Sequence, residues 1–553
     1  MKAGLLLLFI VFACLSAVRG QNVAWMGGDN GQTNPPGKSI SAICPDNAGG
    51  IFIAGTFGNS FSLNNSIQLN TRGLSDIFLM SLNSDSTVKW TKQIGGAGSE
   101  GYKGALSTDL AGNVYIAGSF GDSLWVDGQY LLHTGSPAAG FRSDIFVAKF
   151  TSAGTLVWLK QTKGFDIEYA TDVAADSAGN VYLSGQFEYD TDLGDSILVP
   201  NTGEEDAFIC KYDNSGNLMW KKICQSSGWS HEEISQIEVS PDGYTYLTGF
   251  YHDSTTTFDN ILLPPPYLGG QSFVAAIAPS GTVSWIAPLQ SPNGGAQVKG
   301  LRLRDSSLYV AGDFVGYLDI APTYVIASGG QDVFLAALHT QDGSALWARK
   351  YGHTGATNMV SNGLAAAPNG QLYITGDYND STRFDSLLVT ATGGKDIYVA
   401  ICDSLGGVQF LHKAAASGDQ LAGAIAGDKS GNIYMSGISL SGGISFGNRS
   451  VFTPNVGTFL AKFTPMVIPL NVSAVLPTVV QYFPNPVEKE LTWSLPKGVK
   501  LEGYALYDMR GAAILQSRNV SSGKVDLSFL APGNYVMRFY TRNGSTNVVL
   551  QKR

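Results

Sequence analysis

Cysteine is scarce, with five residues among 553. No two are spaced C-x-x-C, so neither a disulfide scaffold nor a thiolate zinc site is expected. Charge is thin as well. Charged residues make up 14% and the net charge is −9, with no basic stripe, which argues against nucleic acid and anionic membranes as partners. The six histidines, His133, His231, His252, His339, His353 and His412, are scattered. No P-loop, nucleophile-elbow or zincin spacing is present, so no cofactor and no metal is assigned. Long apolar runs are missing too. The run from Leu5 to Phe12 is too short to span a bilayer, and no later stretch reaches about 18 apolar residues. No transmembrane segment is expected in the mature chain.

The amino terminus has the layout of a signal peptide: Lys2, that apolar run, then small residues up to Val18-Arg19-Gly20. Cleavage after Gly20 would leave Gln21 first. Cys14 invites a lipoprotein reading, but Phe12 fits a lipobox poorly. Four cysteines then remain, Cys44, Cys210, Cys224 and Cys402. Cys210 and Cys224 flank one hairpin whose turn near Asn214 puts them out of register.

Apolar residues reach 44% and glycine is abundant at 67 residues without a collagen period, which suits an all-β chain with many turns. Internal repeats decide the architecture. One strand recurs as IFIAGTF (51–57), VYIAGSF (114–120), VYLSGQF (181–187), YTYLTGF (244–250), LYVAGDF (308–314), LYITGDY (372–378) and IYMSGIS (433–439). Its glycine returns seven times with a period of about 64 residues. A second strand follows each copy, as in DIFLMSL (76–82) and DIFVAKF (144–150), and six lead on to a strand centred on Trp90, Trp158, Trp220, Trp285, Trp347 or Phe410. A weaker strand such as TDVAAD (171–176) precedes each glycine strand. Every unit therefore reads as four antiparallel strands, A to D. Turns such as DSAGN (176–180) join A to B. Asp at the first position of such a turn needs no calcium.

On strand B, Val114, Ile116 and Phe120 alternate with Tyr115 and Ala117. Both faces are apolar, so each sheet must pack between two neighbours, as in a β-propeller. The seventh unit lacks a Trp strand, whereas Trp25 in NVAWMGG (22–28) is a Trp strand without a preceding unit. The N-terminal strand is thus expected to complete the last blade and close the ring. The expected fold is all-β: a seven-bladed β-propeller of four-stranded antiparallel blades over 21–466, a linker over 467–480, and a small C-terminal β-sandwich over 481–553.

The C-terminal residues resemble the type A C-terminal sorting domain of the type IX secretion system of Bacteroidetes. The Tyr-Pro-Asn-Pro opening of that family is matched by Pro484, Asn485 and Pro486, with Phe483 inserted after Tyr482. An Asp-x-x-Gly turn is matched by Asp508 and Gly511, a Leu-x-x-Gly-x-Tyr strand by Leu530, Gly533 and Tyr535, and a basic tail by Lys552-Arg553. The resemblance implies Sec export and the type IX machinery as partner. It also implies a product released or held at the surface of a Gram-negative cell. The repeats further resemble bacterial β-propeller repeats of secreted proteins, which share no common activity.

Two sets of candidate binding residues stand out. Trp229, His231, Glu232 and Glu233 lie together between a D and an A strand, and aromatic plus paired carboxylates suit a sugar or acid–base chemistry. Glu100, Glu168, Glu233, Gln297, Asn358 and Gln420 recur before strand B in six units. They either ring the mouth of a central channel or brace the backbone where the chain enters strand A. No residue is assigned as catalytic. A binding or adhesion module for an extracellular glycan or protein is the expectation. A polymer-acting hydrolase or lyase, and a structural spacer, are the alternatives.

Overall fold

The computed structural model describes residues 23–28, 38–64, 67–134, 142–228, 230–267, 269–292, 294–353, 358–440, 443–447, 449–451, 456–465, 481–495, 500–508, 513–517, 523–541 and 544–553. The signal-peptide reading, the linker, Trp229 and Gly511 lie outside them. The chain divides into two compact units, one Val23–Phe463, the other combining Thr464–Asp508 with Ala513–Arg553. Among the described residues there are strands and turns but no helix.

In the larger unit, antiparallel sheets follow the order A–B–C–D predicted from the repeat. The first sheet pairs Ser39–Pro45, Ile51–Phe57, Asp76–Leu82 and Val88–Ile94. Six more repeat the plan. In the second sheet, strand A is split into Glu100–Gly101 and Leu106–Thr108. In the seventh, the outer strand is Val23–Gly28, antiparallel to Gly457–Phe463 with Trp25 opposite Lys462.

The alternation on strand B has the expected consequence. Val114, Ile116 and Phe120 enter a core shared with Phe52, Ile77 and Leu79 of the first sheet. Tyr115 and Ala117 enter another, shared with Val181, Leu183 and Phe208 of the third. Each apolar core thus lies between two successive sheets. One joins Ile53, Phe57 and Met80 of the first sheet to Tyr434 and Leu460 of the seventh.

Outer strands are clasped from sheet to sheet by their tryptophans. Trp90 Nε1 donates to Ser152 O (3.0 Å), Trp158 Nε1 to Asn214 O (3.1 Å) and Trp285 Nε1 to Thr340 O (3.0 Å). Each acceptor lies in the C–D turn of the next unit. The glycine of that turn is required twice over. Gly343 has φ +71°, and a Cβ there would lie 2.7 Å from the Trp285 ring.

The B–C connections form short hairpins that add to the D strand of the preceding unit. Cys224 pairs with Phe258, Ala414 with Phe446, and Gly95 with Trp125. Asn64 N likewise donates to Gly28 O (3.4 Å). In five sheets the residue that opens strand C is an Asp that fastens the hairpin before it. Asp76, Asp144, Asp206, Asp332 and Asp396 are fully buried. They accept from the backbone N–H of Arg72, Thr134, Thr202, Ser328 and Thr392, the last four at 2.7 to 2.9 Å.

The smaller unit has two antiparallel sheets, one of three strands and one of four. Trp493, Leu506, Leu527 and Phe539 share its core, so the two sheets face each other. Asn485 ties the opening of this unit to its end: Nδ2 donates to Val549 O (3.0 Å) and Oδ1 accepts from Gln551 N (2.8 Å). Asp508 pairs with Tyr535, whose hydroxyl donates to Ala531 O (2.8 Å). Pro484 and Pro486 flank Asn485, Gly533 begins the strand that carries Tyr535, and Lys552 is largely buried near the chain end.

Two measurements follow from this packing. Gly343→Ala and Gly128→Ala both place a Cβ at positive φ, but at Gly128 the space is open. Both substitutions incur about 1–2 kcal/mol of backbone strain, so Gly343→Ala should unfold at lower urea by a further margin from its tryptophan clash. Equal midpoints would show that the tryptophan clasp adds nothing. Separately, Asn485→Ala removes two hydrogen bonds and should cost about 1–3 kcal/mol in the C-terminal unit. It should also lower export, read as the fraction of protein in the medium.

Candidate functional site

The A strands are the inner strands. They line a channel of about 920 Å3 that draws on Ser41, Lys103, Thr171, Ser235, Lys299 and Ala422, among others. Several A strands carry a β-bulge at the same level, between Ile40 and Ala42, Ala170 and Asp172, Ile234 and Gln236, and Val298 and Gly300. A bulge frees one residue from the ladder and redirects its side chain. The freed residues, Ser41, Thr171, Ser235 and Lys299, all line the channel.

Polar ties run from one sheet to the next. Cys44 Sγ meets Thr108 Oγ1 at 3.5 Å, Asp172 Oδ2 accepts from Ile237 N at 2.8 Å, and Arg302 Nη1 donates to Glu238 Oε1 at 2.8 Å. Asn362 Nδ2 donates to Ala422 O at 2.9 Å, and Ser436 Oγ of the seventh sheet donates to Ile40 O of the first at 2.7 Å. Burial pushes the Asp172 carboxyl up to about 7 against the pull of its two backbone N–H donors. Burial also pushes the Cys44 thiol up to about 11.

At the loop end of the third and fourth sheets, titratable groups gather. His231 Nδ1 lies 2.7 Å from Glu205 Oε2, and its Nε2 lies 3.8 Å from Glu204 Oε2. Burial raises the Glu188 carboxyl, and the charges of Glu205, Asp166 and Glu204 raise it further, opposed by His231. Lys103 Nζ sits 4.9 Å over the Tyr169 ring and donates to Gln186 Oε1 at 2.9 Å. His252 Nδ1 approaches His231 O at 3.2 Å. In the same loops Phe165 and Tyr189 are 57% and 55% exposed, an unusual outlay of aromatic surface for residues that cover no core.

The six recurring polar residues do not ring the channel. Glu100, Glu168 and Gln420 are buried and brace loop backbone or neighbouring hydroxyls. Glu100 Oε1 accepts from Gly96 N (3.1 Å), and Gln420 Oε1 accepts from Ala416 N (3.0 Å). Glu168 takes hydrogen bonds from Thr162 and Thr191. In the fourth unit the brace is Glu232, fully buried and bonded to Ser230 Oγ (2.8 Å) and Thr256 Oγ1 (3.3 Å), rather than Glu233. Glu100, Glu168 and Gln420 pair with the residue two past the B-strand glycine. The same position holds Ala296 opposite Phe314 and Met359 opposite Tyr378. Gln297, one residue later, and Asn358, one residue earlier, are exposed. Of the six, Glu233 alone lines the channel. A one-residue slip in a strand exchanges buried for exposed, and spacing in sequence did not resolve it. His231 lies beside Glu204 and Glu205, which come from a B–C loop. Asp172, Glu238 and Arg302 carried no sequence signal, because they do not recur between units.

Residues 481–551 match the secretion system C-terminal sorting domain. The chain therefore ends in a type IX sorting domain, which implies the type IX machinery and export to the cell surface or medium. No helix among the described residues is long and apolar enough to cross a membrane. An uncharacterized WD repeat-containing protein of Acanthamoeba polyphaga mimivirus is 23% identical over 446 residues, covering 64% of this chain and 31% of that one. Regulatory protein FlaEY of Caulobacter vibrioides is 24% identical over 346 residues, covering 60% and 35%. The chain thus spans about a third of the length of these curated relatives. WD repeats build β-propellers, in keeping with an all-β, repeat-propeller scaffold. Among solved structures, the quinohemoprotein alcohol dehydrogenase of Comamonas testosteroni is 11% identical, with TM-score 0.36 and coverage of 85% of this chain and 79% of that one. A protein of unknown function from Dyadobacter fermentans is 10% identical, with TM-score 0.35 and coverage of 81% and 100%.

The braces make stability depend on pH. Burial is the largest cause in raising Glu100 to about 8, and Glu168 and Glu232 to about 7. The native state then holds more protons than the unfolded chain between about pH 4.5 and pH 8, so this contribution to stability falls as pH rises through that window. Glu168→Gln, which fixes the neutral form, should match the parent at pH 5 and melt higher than it at pH 9. A parallel shift at both pH values would contradict the assignment.

Proposed function

We propose that residues 21–466 form a closed seven-bladed β-propeller, following a signal peptide at 1–20 and joined by a 467–480 linker to the sorting domain at 481–553. Support for closure comes from the Trp25–Lys462 pairing, the bond from Asn64 to Gly28 and that from Ser436 to Ile40. On this reading the protein is an extracellular binding module of a Gram-negative bacterium of the Bacteroidetes. It presents the loop end of its third and fourth blades to a glycan.

The observation that carries the binding reading is the cluster of Asp166, Glu188, Glu204, Glu205 and His231 beside exposed Phe165 and Tyr189. Carboxylates and imidazole accept and donate to sugar hydroxyls, while aromatic faces take up C–H surfaces. The raised Glu188 carboxyl among other carboxylates favours a second reading, a hydrolase or lyase that uses Glu188 as an acid.

The test is retention of the purified full-length protein on immobilised extracellular polysaccharides, with released sugar measured in the same samples. Retention without release, weakened at least tenfold in His231→Ala/Glu205→Gln and persisting at high salt, is the expected result. Release of sugar that is lost in Glu188→Gln would establish the enzyme. Capture of a protein that is lost at high salt would reassign the patch to an electrostatic contact. Retention of neither class would leave a structural spacer.

A further inference from the structure

The channel is not the same all the way round. On the second to fifth sheets its wall carries Lys103, Asp172, Gln236, Glu238, Lys299 and Arg302. On the sixth, seventh and first it carries no charged side chain, only apolar ones such as Leu421, Ala422 and Ala424 with the neutral Ser39, Ser41 and Asn362. One part of the circumference carries all the charged side chains, and the other mostly small neutral ones that let a ligand come close to the backbone.

The polar half has no single sign. The cations Lys103, Lys299 and Arg302 face the carboxyls of Asp172, Glu233 and Glu238, and the Arg302–Glu238 pair is closed at 2.8 Å. Such a wall does not concentrate an anion or a cation, and no group of three or more metal-ligating side chains occurs among the described residues. A fatty or aromatic ligand would leave the charged half desolvated and unpaired.

We infer that the channel between the A strands is a binding site for a short neutral oligosaccharide. Its hydroxyl edge would lie against Asp172, Gln236 and Arg302, and its C–H face against the Ala422–Ala426 wall. The volume of about 920 Å3 falls within the usual range for small-ligand sites, roughly 300–1,000 Å3. The inference extends the binding reading inward and rests on it only in that both need an open loop end.

Cys44 supplies the readout. It lines the channel and is partly exposed, whereas Cys210, Cys224 and Cys402 are fully buried. Because burial holds its thiol up at about 11, labelling of the full-length protein would use excess methyl methanethiosulfonate at pH 9, with peptide mapping of Cys44. Neutral trisaccharides of glucose, galactose and N-acetylglucosamine would be compared with trigalacturonate. At least one neutral sugar at millimolar concentration should slow labelling about tenfold, and trigalacturonate should not. Ala424→Phe, which fills the channel from the apolar side, should abolish calorimetric binding of that sugar while leaving the melting temperature within a few degrees. Asp172→Asn should weaken binding without removing the channel. The inference is overturned if no neutral trisaccharide protects Cys44, if trigalacturonate protects equally, or if Ala424→Phe binds as the parent does. Retention of a polymer by the loop end without protection of Cys44 would remove this inference and leave the loop-end reading standing. Protection that survives His231→Ala/Glu205→Gln would do the reverse.

Discussion

Everything in the larger unit depends on sheets that are apolar on both faces. A strand such as Val114–Phe120 sends Val114 and Ile116 to one neighbour and Tyr115 and Ala117 to the other. No single sheet of this kind can be stable in water, since either face left open would expose its phenylalanines and tyrosines. Burying both faces at about 25 cal/mol per Å2 of apolar surface requires a neighbour on each side. A linear stack meets that need except at its two ends. One core holds Phe57 and Met80 together with Tyr434 and Leu460, from sheets far apart in sequence.

That constraint explains why so much recurring polarity turns out to be scaffolding. Hydrophobic faces position the sheets but leave loop backbones at their ends partly dehydrated, and each orphaned N–H needs an acceptor. The Asp that opens strand C and the Glu that opens strand A meet this need in unit after unit. The interchange of Glu100, Glu168, Glu232, Ala296, Met359 and Gln420 at one position fits a brace that some loops can do without. A metal ligand does not tolerate alanine. In a repeat protein, then, regular recurrence is a signature of the frame. Function is better sought where a unit departs from its siblings, as at His231, Asp172 and Arg302.

Legibility in the sequence followed the same division. Strands B and C were readable because full burial forces near-continuous apolar runs, and Trp25 was readable because a lone D strand has to belong to some sheet. The B–C hairpins escaped because strands of two residues, such as Ser60–Phe61 and Thr257–Phe258, carry no periodicity. Glu233 was chosen over Glu232 because the two carboxylates are adjacent, and an approximate repeat period does not decide between neighbours that face opposite ways. The His231 cluster was visible only in part, since Glu204 and Glu205 arrive from a loop more than twenty residues upstream.

The channel shows how a pseudo-symmetric frame acquires an asymmetric interior. Similar units would by themselves make a wall of similar sectors. The A strands escape that uniformity because they have only one packed neighbour in the ladder, and their bulges release single residues from it. Substitution there costs little in packing: Ser41, Thr171, Ser235 and Lys299 stand at bulges in four sheets yet differ in size and charge. Strand B has no such freedom, as every residue of Val181–Phe187 is buried. The inner strands are therefore where this chain could diversify without unfolding. The split between the Asp172–Arg302 side and the Ala422–Ala426 side is the largest departure from symmetry in the channel wall. Selection for stability alone gives no reason to keep every charged side chain on one side of the channel, whereas selection for a ligand with one polar edge and one apolar face does.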